Sequence, residues 1–371
     1  MTAPAPSPTP APGPAPEPAP GPVAVPEPTG TMRQVLAEPG VGVRLVAEPV
    51  PVPLSGQVLV RSTLVGICGS DTHAIAGHHP FLTGAYVPGH EVVGVVAATG
   101  AGVEGFVPGR RVLLKPNVAC GACPNCRAGR SNACELLTWV GCDPSRHWAG
   151  AMADWFVAPA QNLFAVPDEV DDATAALVEC LSTPVHAVRI AGDLVGASVV
   201  VLGAGTIGLL CAVAARRAGA GRVVVTDLDR GKLDRALRVG VDAAVLGSAA
   251  DVDDQVRAAL GGPADAVLDC VASERSLAQG VGLLRRAGTL LVVGVPPRSA
   301  ALPMPIVQDW EIRVQGCAAY TEQDVRTSLA IAADGDLPTA EVVSAVYPLD
   351  EVAEAFVVAG ADSSGKVLVA P

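Results

Sequence analysis

Short Val-rich runs at 57–61, 91–97 and 111–114 alternate with Gly and Pro along residues 31–167, the pattern of an all-β unit with loops. Around Asp168 the pattern changes, and residues 171–188 read as largely helical, broken or kinked at Pro184. Apolar runs at 198–202, 222–226, 243–246, 266–270, 289–294 and 311–315 then alternate with helical segments such as 230–239 and 274–286. Six strands alternating with helices predict an α/β fold built on a doubly wound parallel sheet. The last fifty residues return to a mixed pattern, with helices at 322–333 and 349–359 and a strand at 366–370.

Residues 1–30 carry twelve of the 33 prolines, mostly in Ala-Pro repeats, and cannot bury enough apolar area to fold; they predict an extended, disordered tail. The remaining length suffices for two domains, and with only 3% aromatic residues their cores must be aliphatic. A net charge of −12 leaves little from which to build a basic stripe, so nucleic acid and an anionic membrane surface are not expected partners. The uncharged stretch 194–215 is long enough for a membrane span. Its four glycines instead mark a buried strand, a tight loop and a helix. No signal peptide is visible at the start, and the expectation is a soluble cytoplasmic protein.

The clearest motif is Gly203-Ala204-Gly205-Thr206-Ile207-Gly208, which follows the apolar strand and opens a helix. Gly203 permits the tight turn, Gly205 lets backbone approach a pyrophosphate, and Gly208 lets helix and strand pack closely. Unpaired N–H groups at the helix start then face the phosphates. The second strand ends at Asp227, nineteen residues after Gly208, where a carboxylate can accept from a ribose 2′-OH and would repel a 2′-phosphate. NAD is therefore expected over NADP. Arg230 and Lys232 temper that preference, and Lys232 joins Gly203, Gly205, Ile207, Gly208 and Asp227 as a candidate cofactor contact.

Ten cysteines in a chain without a secretion signal point to metal more than to disulfides. Cys120, Cys123 and Cys126 recur at every third position, and Cys134 follows after seven intervening residues. Four thiolates in a short loop match a closed tetrahedral Zn²⁺ site, and with every position filled by sulfur that zinc is structural. A dispersed set comprises Cys68, Ser70 and Asp71 in one motif, His73, the pair His90-Glu91, and Glu179-Cys180. A catalytic zinc wants about three protein ligands of mixed type plus water, but sequence alone does not show that these residues converge.

The Gly-His-Glu and Cys-Gly-Ser-Asp motifs, the four-Cys lobe and the glycine turn, in this order along residues 31–371, resemble the zinc-dependent medium-chain alcohol dehydrogenases. The resemblance is strongest to the polyol (sorbitol-like) and threonine dehydrogenase branch, because Glu179 stands where other members place a Cys ligand. It implies a Rossmann nucleotide domain beside a GroES-like, mainly β catalytic domain. The implied division is a tail at 1–30, a catalytic domain with the zinc lobe at 31–167, an NAD-binding domain at 168–318 and a return to the catalytic domain at 319–371.

The resemblance also implies two zinc ions per chain. Cys68 and His90 resemble ligands of the catalytic one, with Glu91 and Glu179 as third and alternating ligands and Cys180 as a fallback. Ser70 resembles the hydroxyl that bonds the substrate oxygen, and His73 the end of a proton relay to solvent. The implied activity is hydride transfer between NAD and a secondary alcohol such as a polyol, cyclitol or aminocyclitol. Ala74 and Ala319-Tyr320 stand where sorbitol dehydrogenases usually carry Tyr and Arg-Tyr, which argues against sorbitol itself. The alternatives are oxidation of an amino alcohol such as L-threonine, or a non-catalytic NAD-binding scaffold. Other members form homodimers or homotetramers, and residues 289–295 are the strand expected to extend the sheet across a two-fold. His147, Trp148 and Trp310 are candidate pocket residues or packing, while Cys142, Cys211, Cys270 and Cys317 read as small core residues.

Overall fold

The computed structural model describes residues 28–79, 82–296, 298–361 and 365–371. The tail predicted at 1–30 falls almost wholly outside them.

Strand Gln57–Gly66 organises the first sheet. Its first half pairs antiparallel with Trp155–Pro159, from Gln57 opposite Pro159 to Arg61 opposite Trp155. Its other edge pairs with Glu91–Thr99, which continues the sheet to Arg111–Leu114 and Leu163–Ala165. Its last residues, Val65 and Gly66, pair with Lys366–Ala370, and that strand runs parallel to Val343–Pro348. The chain's end is thus stitched into the sheet its beginning built. The core between these strands is aliphatic, as 3% aromatic residues require, with Val58, Val60, Val65, Val92, Val96, Val112, Val367 and Val369 all buried.

The second sheet has six parallel strands in the spatial order Ala243–Leu246, Arg222–Asp227, Ser198–Leu202, Ala264–Asp269, Leu284–Val292 and Arg313–Gly316. In chain order that is 3-2-1-4-5-6, and the direction of progression reverses between Ser198–Leu202 and Ala264–Asp269. Both faces are covered, so the strands read as continuous apolar runs. Val199 and Val201 pack on helices Val178–Ala191 and Thr206–Arg217, whereas Val200 and Leu202 pack on Val252–Leu260 and Glu274–Leu283. Among the described residues no helix is long and apolar enough to cross a membrane. The uncharged stretch 194–215 divides into strand Ser198–Leu202 and the start of helix Thr206–Arg217.

Two expectations are corrected. The helix at 171–188 is broken at Leu177 and not at Pro184: Asp171 caps a short turn, Asp172–Ala176, and Val178–Ala191 continues as one helix past the proline. One lost backbone bond is outweighed by burying Leu181, Val185, Ala187 and Val188 in the core. The strand expected at 289–295 to extend the sheet lies inside it, between Ala264–Asp269 and Arg313–Gly316. The free edges are Ala243–Leu246 and Arg313–Gly316.

Candidate active site

The glycine turn lies where the strand order reverses, the crevice in which open parallel sheets bind ligands. Gly203 sits at φ +95°, a left-handed conformation that a side chain rarely adopts. A Cβ on Gly208 would fall within 1.8 Å of the Gly203 carbonyl oxygen, so helix and strand approach this closely only at glycine. Around Gly205 a Cβ would meet nothing within 4 Å, leaving an open cradle beside the start of helix Thr206–Arg217. Asp227 stands across from the turn. Its Oδ2 accepts from the Ala204 N–H at 2.7 Å and its Oδ1 from the Asp229 N–H at 3.0 Å. The carboxylate therefore shapes the turn and keeps lone pairs free for a ribose hydroxyl. Lys232, half-buried, donates its backbone N–H to Asp229 Oδ1 at 2.8 Å in a helix cap. The residues present fit a dinucleotide.

The four clustered cysteines form a second group. The ligand atoms of Cys120, Cys123, Cys126 and Cys134 lie within 4.8 Å of one another, and Cys123 Sγ is 3.9 Å from Cys134 Sγ. Sulfurs around a tetrahedral zinc at ~2.3 Å are spaced at about 3.8 Å. Backbone N–H groups already point at the sulfurs: Cys120 and Leu136 each donate to Cys134 Sγ at 3.3 Å, and Cys123 donates to Cys120 Sγ at 3.4 Å. Such bonds from Glu135 and Cys126 bring the Cys123 thiol down to about 6, which favours the thiolate a metal needs. All ten cysteines are free thiols. The lobe fits zinc, with four thiol donors grouped among the described residues.

The dispersed residues do converge. Cys68 caps helix Gly69–Ile75, while Glu91 opens strand Glu91–Thr99 directly opposite Gly66 and His90 immediately precedes it. The donor atoms of Cys68, His90 and Glu91 lie within 4.8 Å of one another, and those of Glu91, Glu179 and Cys180 do likewise. Glu91 is the member common to both groups. Sulfur, imidazole and carboxylate donors around one buried point suit an open zinc site.

The motif residue Asp71, together with residues that the motifs did not point to, holds this cluster. Asp71 is fully buried; its Oδ2 accepts from the Cys68 N–H at 3.2 Å and its Oδ1 from the Tyr86 hydroxyl at 2.9 Å. Cys142 is not a plain core residue, since its sulfur lies 3.4 Å from His90 Nδ1 and Asp71 Oδ2 lies 3.9 Å from the same nitrogen. Burial works against a charged His90, but Cys142, Cys68 and Asp71 hold its pKa well above the usual imidazole value. Lys366 donates to both oxygens of Glu91 at 2.7 Å, and despite burial that ammonium keeps the carboxyl below its usual range. Burial pushes Glu179 up to about 7, while the Tyr320 hydroxyl donates to its Oε1. A lone Lys opening an apolar strand carries no sequence signal for such a partner.

Ser70 is half-buried, and His73 is exposed one turn further along the same helix. Trp148 packs on the β-unit core with His147 against its edge, and Trp310 lies under Arg286 on the far layer of the nucleotide unit, so Trp310 is packing.

Comparison with known proteins agrees with this geometry. Residues 54–168 match the family described as alcohol dehydrogenase GroES-like domain, and residues 206–334 match zinc-binding dehydrogenase. The chain is 32% identical over 309 residues to the L-galactonate-5-dehydrogenase of Escherichia coli K12, covering 83% of this chain and 89% of that protein. It is 32% identical over 337 residues to the L-threonine 3-dehydrogenase of Deinococcus deserti, covering 90% and 96%. A zinc-binding dehydrogenase structure from Sinorhizobium meliloti 1021 bound to NADP superposes with a TM-score of 0.86 at 30% identity, covering 92% of this chain and all of that one. An Escherichia coli CFT073 alcohol dehydrogenase complexed with NADH superposes at 0.85 and 26% identity, covering 92% and 99%.

Proposed function

The chain belongs to the zinc-dependent medium-chain alcohol dehydrogenase family, polyol and threonine dehydrogenase branch, and we propose that it oxidises a secondary alcohol of a polyhydroxylated small molecule with NAD. The observation that carries this reading is the convergence of half-buried Cys68 with buried His90 and Glu91.

Cys68 and His90 would hold the catalytic zinc, with Glu179 and Glu91 as the carboxylates that trade places near it. Cys120, Cys123, Cys126 and Cys134 would hold the structural one. When bound, the catalytic ion acts as a Lewis acid toward the alcohol oxygen, and the nicotinamide accepts the hydride. Asp71 and Cys142 flank His90 Nδ1, which leaves Nε2 free to serve as a ligand. Ser70 bonds the substrate oxygen and hands its proton toward His73, whose exposure lets it discharge to solvent. Asp227 selects NAD by accepting from the ribose and repelling a 2′-phosphate. Lys366, the cation in contact with the cluster, is committed to Glu91 and so is not available to a substrate carboxylate, which favours a polyol, cyclitol or aminocyclitol over threonine. Ten free thiols suit a reducing compartment, the cytoplasm. The exposed edge strand Arg313–Gly316 is where a second copy would extend the sheet into a dimer.

The test is zinc content by mass spectrometry, together with NAD⁺ reduction on a panel of polyols, cyclitols and L-threonine. About two zinc ions per chain with turnover on the polyol class is the expected result. One ion and no turnover would return the protein to a scaffold, and turnover on threonine alone would move it to the amino-alcohol reading.

A further inference from the structure

Ala319 has φ +51°, in the left-handed region that costs a residue with a Cβ. It is held there from both sides by side-chain amides distant in sequence. Asn132 Nδ2 donates to the Ala318 carbonyl at 2.9 Å, and Asn117 Nδ2 donates to the Tyr320 carbonyl at 2.8 Å. Asn117 is fully buried and its Oδ1 has no partner among the described residues, so Tyr320 alone sets the amide's orientation. Thr321 then donates through N–H and hydroxyl to Asp324 Oδ2, at 2.7 Å each, which fixes the exit of the segment into helix Glu322–Ala333. Asp324 also meets His186 and Arg189, and Asn132 reaches His186 Nε2 at 3.3 Å. What this clamp presents is Tyr320, 1% exposed, with its hydroxyl on Glu179 Oε1.

Asn132 lies between Cys126 and Cys134 in the four-cysteine lobe, in the short turn Ser131–Ala133. We propose that Asn132 and Asn117 are positioning residues that hold the strained segment 318–320, so that Tyr320 fixes the Glu179 carboxylate and the four-cysteine lobe sets the geometry of the catalytic centre. The strain makes this a device and not merely a contact, because without the two amides Ala319 would relax and carry Tyr320 with it. The inference rests on the proposed function for its catalytic consequence, while the clamp itself can be read without turnover.

The experiment uses the zinc-loaded enzyme and compares wild type with Asn132→Ala, Asn132→Asp, Tyr320→Phe and the double variants Asn132→Ala/Ala319→Gly and Asn132→Ala/Tyr320→Phe. Asp at 132 keeps the shape but cannot donate to the carbonyl, which guards against a folding failure of the alanine variant. Hydrogen exchange of the peptide spanning 317–322 is expected to rise roughly tenfold in both Asn132 variants, with zinc content unchanged. Their kcat is expected to fall about tenfold with the KM for NAD⁺ within ~2-fold, since the glycine turn is untouched. Glycine tolerates the left-handed conformation, so Ala319→Gly should restore most of the lost kcat in the Asn132→Ala background. Tyr320→Phe should lower kcat to the same extent and add nothing to Asn132→Ala. Unchanged exchange at 317–322, or faster exchange with kcat intact, or no rescue by glycine, would each overturn the proposal. A wild type inactive on every alcohol tested would count against the proposed function and leave the exchange comparison to decide the clamp.

Discussion

Both oxygens of Glu91 lie 2.7 Å from the Lys366 ammonium, with the two side chains 1% and 5% exposed. Lys366 also donates to the Ile67 carbonyl at 3.1 Å, so the pair ties the chain's last strand to the loop that leads into Cys68. Two charges so deep are tolerable only together. Lys366→Met leaves an unpaired buried carboxylate and should cost about 3–5 kcal/mol. Adding Glu91→Gln should recover part of that loss, and denaturant melts of the four proteins in the cycle measure the coupling. Strictly additive losses would show that the pair is not a unit.

The two cysteine groups should fail differently. Cys68→Ala removes a donor from the buried Cys68–His90–Glu91 group and should abolish turnover in a protein that still folds and keeps one zinc. Cys123→Ala opens the lobe and should lower the melting temperature by roughly 6–12 °C for a loss of about 3 kcal/mol. Metal content and a thermal melt on the same samples separate them. Full activity in a folded Cys68→Ala protein would remove that cysteine from the site.

Sequence carried the order of strands and helices in the nucleotide unit, although the helix read at 274–286 ends at Leu283 and the strand read at 289–294 already begins at Leu284. Strand Ser198–Leu202 and helix Arg230–Val239 fall where the periodicity puts them, because buried parallel strands and an amphipathic helix write their burial into local composition. The four-cysteine lobe was equally plain, since its cysteines are neighbours in the chain. Legibility was lost where contacts are long-range. Lys366 meets Glu91 across 275 positions, and Asn117 meets Tyr320 across 203, and neither pair leaves a pattern in either stretch. Cys142 passed for a core residue because its role depends on where His90 ends up. Pro184 misled for a related reason: a local breaker was overruled by the tertiary packing around it.

Under the proposed function, Asp227 joins cofactor choice to the shape of the turn. Its oxygens hold the Ala204 and Asp229 N–H groups, so removing the carboxylate loosens the cradle as well as losing a ribose acceptor. Asp227→Ser should raise the KM for NAD⁺ about tenfold, the equivalent of ~1.4 kcal/mol, while the KM for NADP⁺ falls as the repulsion goes. Initial rates with both cofactors test this. A wild type that already prefers NADP⁺, or a variant with unchanged preference, would take Asp227 out of the selection.

Lys115 gives a pH signature that owes nothing to the metals. It is 8% exposed, its ammonium donates to the Asn117 carbonyl at 2.9 Å, and burial lowers its pKa from 10.5 to about 8. Between those two values the unfolded chain binds a proton that the folded chain does not. Stability should therefore rise with pH across that window and be lowest, as far as this group contributes, below pH 8. Lys115→Met removes the buried charge and loses one hydrogen bond; the Asn117 carbonyl keeps its bond from Asn162 Nδ2 at 3.1 Å. The variant should be about 1–2 kcal/mol more stable than wild type at pH 7. That advantage should shrink as the pH rises from 8 to 10.5, where the folded lysine is already neutral, and vanish above 10.5, where the unfolded lysine loses its proton too. Chemical denaturation at pH 7, 9 and 10.5 measures the difference directly, and a gain that stays constant across the range would mean that the charge on Lys115 is not what the fold resists.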